Sequence, residues 1–257
     1  MVDELIKSAL AGDAGRARDT ARTLSDPSRL PEFRAALARR KLSPVERKLL
    51  YEFLEYLARN SKSPEVAAFL LERLAVEKQE ATQLLILGTL RLLEGLDCAA
   101  IEPFLTSGGV RVRHAALQAL RACVGDRPVL LLVEALRQSQ SGEETRQCAD
   151  TLASVGDKAA ADAVFEKLDT IERSRLNVLA VTYLLVAAYA LAGERHRDKI
   201  RGELGRASHV VDRWLIVSAI CRLGTADDCE LVEAEIGDYL RKPTGPINLL
   251  TGHARIR

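Results

Sequence analysis

The chain has 257 residues, 47% of them apolar and only 4% aromatic, and its 37 basic and 36 acidic side chains leave a formal charge of +1. So even a balance offers no global field to gather nucleic acid or an anionic membrane, and an interior drawn from Ala, Leu and Val suits closely packed helices better than sheets. The charge is unevenly placed: residues 1–60 carry 12 basic and 9 acidic groups, residues 61–240 carry 21 and 27, and residues 241–257 carry four and none.

Met1 to Leu10 contains Asp3, Glu4 and Lys7, not the basic-then-apolar order of a secretory leader, so a cytoplasmic protein is expected. Helices are predicted near 2–11, 14–24 and 29–40. Ser43-Pro44-Val45-Glu46 then supplies a capping serine, an N1 proline and a capping-box glutamate for a helix near 44–59, and Ser63-Pro64-Glu65 starts another near 64–76. Between these starts Leu49, Leu50, Phe53, Leu54 and Leu57 recur at three- and four-residue spacing, an amphipathic face that needs a neighbour.

Further helices fall near 79–94, 98–106, 110–124, 127–138, 142–155 and 158–168, and then near 171–192, 195–206, 209–223 and 226–240. Gly125, Gly156, Gly193 and Gly224 each close an Ala- and Leu-rich helical stretch, and a spacing of roughly 30 to 37 residues is that of stacked helix pairs. Leu176 to Gly193 is eighteen residues without a charge, just the length at which a membrane span is considered. Its Asn177, Thr182, two tyrosines and five alanines, in phase with the glycines, predict instead a helix buried on nearly all sides. Pro243, Gly245, Pro246 and Gly252 predict an irregular tail over 241–257, made basic by Arg241, Lys242, Arg255 and Arg257.

Val112-Arg113-x-Ala115-Ala116-Leu117-x-Ala119-Leu120, followed by Val124-Gly125-Asp126, resembles the second helix and exit turn of HEAT repeats, especially the short bacterial class named for phycobilisome lyases. Cys148-Ala149-Asp150-Thr151-Leu152 with Val155-Gly156-Asp157-Lys158-Ala159-Ala160 repeats it. Asp212-Arg213-Trp214 through Ile220 and Leu223-Gly224 gives a third copy, and the stretch ending Ala192-Gly193-Glu194 a fourth. The resemblance implies an all-α, right-handed α-solenoid over residues 1–240, with the best-marked repeats in 97–240 and degenerate ones in 1–96. It also implies that the arginine near the start of the second helix and the aspartate after the glycine pair neighbouring repeats. Arg113, Arg213, Asp126 and Asp157 match those positions, whereas Arg146 is displaced by one residue and Thr182 stands where an arginine belongs.

Chemistry is sparse. His114, His196, His209 and His253 show no metal-binding spacing, so no metal and no cofactor are expected. The iron-dependent deoxyhypusine hydroxylases, also built from HEAT repeats, carry His-Glu pairs, and no such dipeptide occurs here. No nucleophile elbow, phosphate loop or dinucleotide fingerprint occurs either. The five cysteines include no C-x-x-C pair and read as reduced packing groups. Asp227-Asp228 and Glu143-Glu144 lie at helix starts, where carboxylates complement the dipole.

The function expected is therefore binding without catalysis: a scaffold or adaptor whose concave wall, lined by the second helices, takes a protein partner. Helical phase directs His114, Gln118, Arg121, Arg146, Asp150 and Trp214 toward that wall, where Trp214 reads either as a packing residue, the commoner role, or as an aromatic anchor for the partner. The repeat resemblance also admits a bilin lyase or isomerase component, and the basic ends admit a nucleic-acid binder.

Overall fold

The computed structural model describes residues 1–39 and 41–241, so all of the predicted tail after Arg241 lies outside the described residues. Within them the chain is all-α. α1 (Val2–Leu10), α2 (Ala14–Ala21) and α3 (Leu30–Leu37) precede the long α4 (Pro44–Ser61), α5 (Pro64–Val76) and α6 (Glu80–Leu90). After an irregular stretch come α7 (Val110–Ala119), α8 (Arg127–Gln138), α9 (Gly142–Val155), α10 (Ala161–Thr170) and α11 (Val178–Leu191). α12 (Arg197–Arg206), α13 (Val210–Leu223) and α14 (Cys229–Arg241) complete the order. Extended pairing among the described residues is limited to one parallel bridge between Leu96 and Cys123.

Local chemistry accounts for the helix ends. The Ser43 hydroxyl accepts the Glu46 N–H at 3.2 Å while the Glu46 carboxylate accepts the Ser43 N–H at 2.9 Å, a complete capping box behind Pro44. Ser63 and Ser141 likewise accept the N–H of Glu65 and Glu144 at 3.2 and 3.1 Å. Gly125 has φ +80°, a left-handed turn that a Cβ would strain. Gly156 and Gly224 are required for another reason: a Cβ would meet the Leu152 and Ile220 carbonyl oxygens at 2.6 and 2.5 Å.

Two predicted helices change. Residues 98–106 form two short 3₁₀ turns, Cys98–Ala100 and Glu102–Phe104, because Pro103 has no N–H to continue an α-helix and its ring crowds the preceding turn. The helix predicted over 171–192 begins only at Val178. Ile171 and Ser174 are extended, and the Asn177 side-chain amide donates to the Glu172 carbonyl at 2.9 Å to close the loop.

The helices pack in two interleaved series. α4 lies on α6, α6 on α7, α7 on α9, α9 on α11 and α11 on α13, while α5, α8, α10 and α12 each cover the following member of that series. A continuous apolar cluster runs through the joints from Val2 to Ile220.

α11 departs from the expectation that it is buried on nearly all sides. Ala180, Val181, Leu184, Leu185, Ala187, Ala188 and Leu191 are covered, because α9, α10 and α13 pack around it. The remaining side has no such cover: Leu176 is 92% and Leu179 63% exposed, and Tyr183 and Val186 are half-buried. No helix among the described residues is long and apolar enough to cross a membrane. At 14 residues and 1.5 Å per residue α11 is about 21 Å long, against a hydrocarbon core of about 30 Å.

Candidate protein-binding face

The residues singled out for binding lie on the series α7–α9–α13 and the turn after α7; Arg121 and Asp150 are bonded to each other across a helix joint, and Gln118 and Arg146 are bonded to their neighbours. The Arg91 guanidinium, just beyond α6, donates to the Gln118 amide oxygen of α7 at 3.1 Å, and the Gln118 amide donates to Gln147 of α9 at 2.5 Å. Gln147 donates to Glu143 at 2.8 Å. Arg146 grips the same Glu143 carboxylate with two hydrogen bonds, at 2.9 and 2.5 Å, and lies 5.3 Å from the centre of the Tyr183 ring on α11. Hydrogen bonding by Arg146 is the main cause holding the Glu143 carboxyl down at about 2. Arg121 makes a parallel link to Asp150, at 3.1 Å to its carboxylate and 3.3 Å to its carbonyl.

Two buried nitrogens on this face, His114 Nε2 and Arg121 Nε, have no hydrogen-bond partner. Trp214 is half-buried on α13, on the helix next to α11.

The four residues matched to repeat-pairing positions divide. Arg113 donates to the Ser107 carbonyl at 2.8 Å and reaches Glu144 of α9 at 3.6 Å. Arg213 pairs with Glu235 of α14 at 2.5 Å and donates to the Ala207 carbonyl at 3.2 Å. Asp157 instead caps its own following turn, accepting the N–H groups of Ala159 and Ala160 at 2.8 and 3.3 Å. Asp126 is exposed and makes no side-chain cap. Thr182, standing where an arginine was expected, still spans a joint: its hydroxyl donates to Asp212 of α13 at 2.7 Å.

Three groups had escaped the sequence reading. The first is the open stripe of α11, Leu179, Tyr183 and Val186, which share one face at i, i+4 and i+7. The second is His196, 1% exposed, whose Nδ1 accepts the Gly193 N–H at 3.2 Å, leaving Nε2–H to donate to Asp162 at 3.0 Å. Its ring stacks on Phe165 at 5.2 Å, so the buried imidazole and the half-exposed Asp162 carboxylate join α10 to the turn before α12.

The third is Glu77, which receives Arg47 at 2.9 Å, Tyr51 at 2.8 Å and Arg73 at 2.5 Å. Burial pushes the Glu77 carboxyl up, but the hydrogen bonds of Arg73 and Tyr51 and the Arg47 charge outweigh it and hold it below its ordinary value. Burial also drives the Tyr51 phenol up. Among the described residues no His, Cys, Asp and Glu side chains cluster in threes as a metal site would need. No protein-family model matches this chain, and no curated protein matches it.

Proposed function

We propose that the chain is a right-handed α-solenoid of HEAT-like hairpins acting as a non-catalytic scaffold or adaptor, with a partner polypeptide held along the concave, accessible side of α6 to α13. The order of helix contacts, each member of a series touching the next, supports the solenoid. One observation carries the function. α11 is apolar around its circumference, and such helices are normally buried, yet Leu179 is 63% exposed and Tyr183 and Val186 beside it are only half-buried. Covering an exposed Leu or Val contributes about 1.5–3 kcal/mol, and Tyr183 adds an amphipathic ring of the kind that anchors interfaces. Beside it, the half-buried Gln118 and Arg146 offer an amide and a guanidinium group that can exchange their internal bonds for those of a peptide.

The test is affinity capture with the native chain and with a Leu179→Glu, Val186→Glu variant, both matched for thermal stability. A polypeptide retained by the native chain and lost from the variant supports the reading. Equal retention by both, or retention of nucleic acid or pigment in place of protein, overturns it.

A further inference from the structure

α6 is a second apolar helix with an uncovered side. Ala81, Leu84, Leu85 and Gly88 share that side at three- and four-residue spacing. Ala81, Leu84 and Leu85 line an open groove of about 500 Å³ together with Lys48 of α4, Glu80 and Arg111 of α7, and Gly88 continues the same helix side one turn beyond it.

Gly88 is not explained by the fold. A glycine inside a helix is destabilising relative to alanine, its φ is not positive, and a Cβ built there would meet nothing within 4 Å. Neither backbone conformation nor packing requires it. What its missing side chain does permit is the close approach of another backbone, and helix pairs at separations of about 8–10 Å depend on such small residues at the crossing.

Two cations, Lys48 and Arg111, line the groove against one carboxylate, Glu80, and Arg91 follows Gly88 just beyond the end of α6. Arg111 is exposed and has no carboxylate partner among the described residues. Arg91 donates to the neutral Gln118 amide. Lys48 reaches Glu52 at 3.7 Å with most of its side chain in solvent. Against these stands Glu80, whereas farther along the same face Glu143, Glu144 and Asp150 are each held by an arginine.

We infer that the α6 groove docks an acidic amphipathic helix of a partner protein. Its apolar side lies on Leu84 and Leu85, its backbone crosses over Gly88, and its carboxylates meet Arg91 and Arg111. A helix fits better than a strand, because the described residues offer no sheet edge to extend and the anchors follow helical spacing. This rests on the docking role proposed above and specifies the partner's chemistry.

The probe is a labelled synthetic helix of about 18 residues with a leucine face and a glutamate face, compared with a twin carrying lysine for glutamate. Fluorescence anisotropy is read against the native chain and against Gly88→Leu and Arg111→Glu variants. Leucine is the better helix former and the space above position 88 is open, so Gly88→Leu obstructs the path of a docked helix where it leaves the groove, without weakening the fold.

The acidic helix is expected to bind the native chain, to weaken as salt rises, and to lose at least about tenfold in affinity with either variant. Equal binding of both peptides, or acidic binding that survives Gly88→Leu, overturns the inference. So does self-association of the native chain that Gly88→Leu abolishes, since the occupant would then be a second copy. If the acidic helix does not bind while capture through the α11 face succeeds, the α6 inference falls and the docking role stands. If both fail, the docking role falls as well.

Discussion

The part of the chain before residue 90 and the part after residue 125 are both helical, but they are held together differently. In the first, the largest fully buried side chains are Tyr51, Phe33, Phe53 and Phe69, and one carboxylate, Glu77, gathers two arginines and a tyrosine from α4 and α5. In the second, Ala149, Ala160, Ala161, Ala187 and Ala188 share the core with Leu152, Leu168 and Leu184, and the joints are set by residues in the turns: Gly156, Asp157, His196 and Asp228. Where the sequence does not repeat, large side chains and a charge cluster fill unequal gaps. Where it repeats, small side chains let helices approach evenly, and the turn residues fix their register.

Phe53→Ala should be the most damaging single change, losing about 4 kcal/mol because Phe53 is fully buried among large side chains that cannot close over the void. Chemical denaturation measures it, and a loss below that of a C-terminal Leu184→Ala change would erase the distinction. Glu77→Gln should follow, at about 3 kcal/mol, since Arg47 and Arg73 are left without their carboxylate in a largely buried position.

The pH dependence of that same group has a definite sign. Its carboxyl lies below the ordinary value in the folded chain, so its contribution is complete above the unfolded-state pKa of about 4.3 and is lost as pH falls through the folded value. The native chain should therefore lose more stability on acidification below about pH 4.3 than Glu77→Gln does. Parallel acid limbs would exclude the cluster as a source of acid sensitivity.

Two glycine substitutions probe the joints in opposite directions. Gly156→Ala drives a methyl to within 2.6 Å of the Leu152 carbonyl oxygen and should cost about 2 kcal/mol. Gly88→Ala enters open space inside a helix and should stabilise by about 0.5–1 kcal/mol. Thermal unfolding of the two reads both signs, and a destabilised Gly88→Ala would mean that the fold itself needs that glycine.

Much of the local structure was legible because its causes are local. Ser43, Ser63 and Ser141 cap the helices they precede, and Gly156 and Gly224 stand where only glycine clears a carbonyl. The break at Pro103 was missed: a helix was predicted across 98–106, although a proline at that point removes the donor such a helix would need. The cross-helix bonds were partly legible. Gln118–Gln147 and Arg121–Asp150 are each separated by 29 residues, close to one repeat, so polar residues one period apart were the available signal. Asp157 obeys both the capping rule and the repeat resemblance, and the capping rule prevails in the structure. The open side of α11 was not legible, because a helix apolar on every side does not encode which side its neighbours leave uncovered. That depends on the placement of α9, α10 and α13.

The bridge at Leu96 carries one more consequence. Leu96 N–H donates to the Ala122 carbonyl at 3.0 Å, and Val124 N–H donates to the Leu96 carbonyl at 3.1 Å. Elsewhere among the described residues, segments distant in sequence meet through side chains, which can be exchanged or slid by a turn without breaking a backbone bond. A change in the length of the segment between Leu96 and Ala122 therefore has to keep two backbone bonds in register, a constraint that the side-chain contacts elsewhere do not impose.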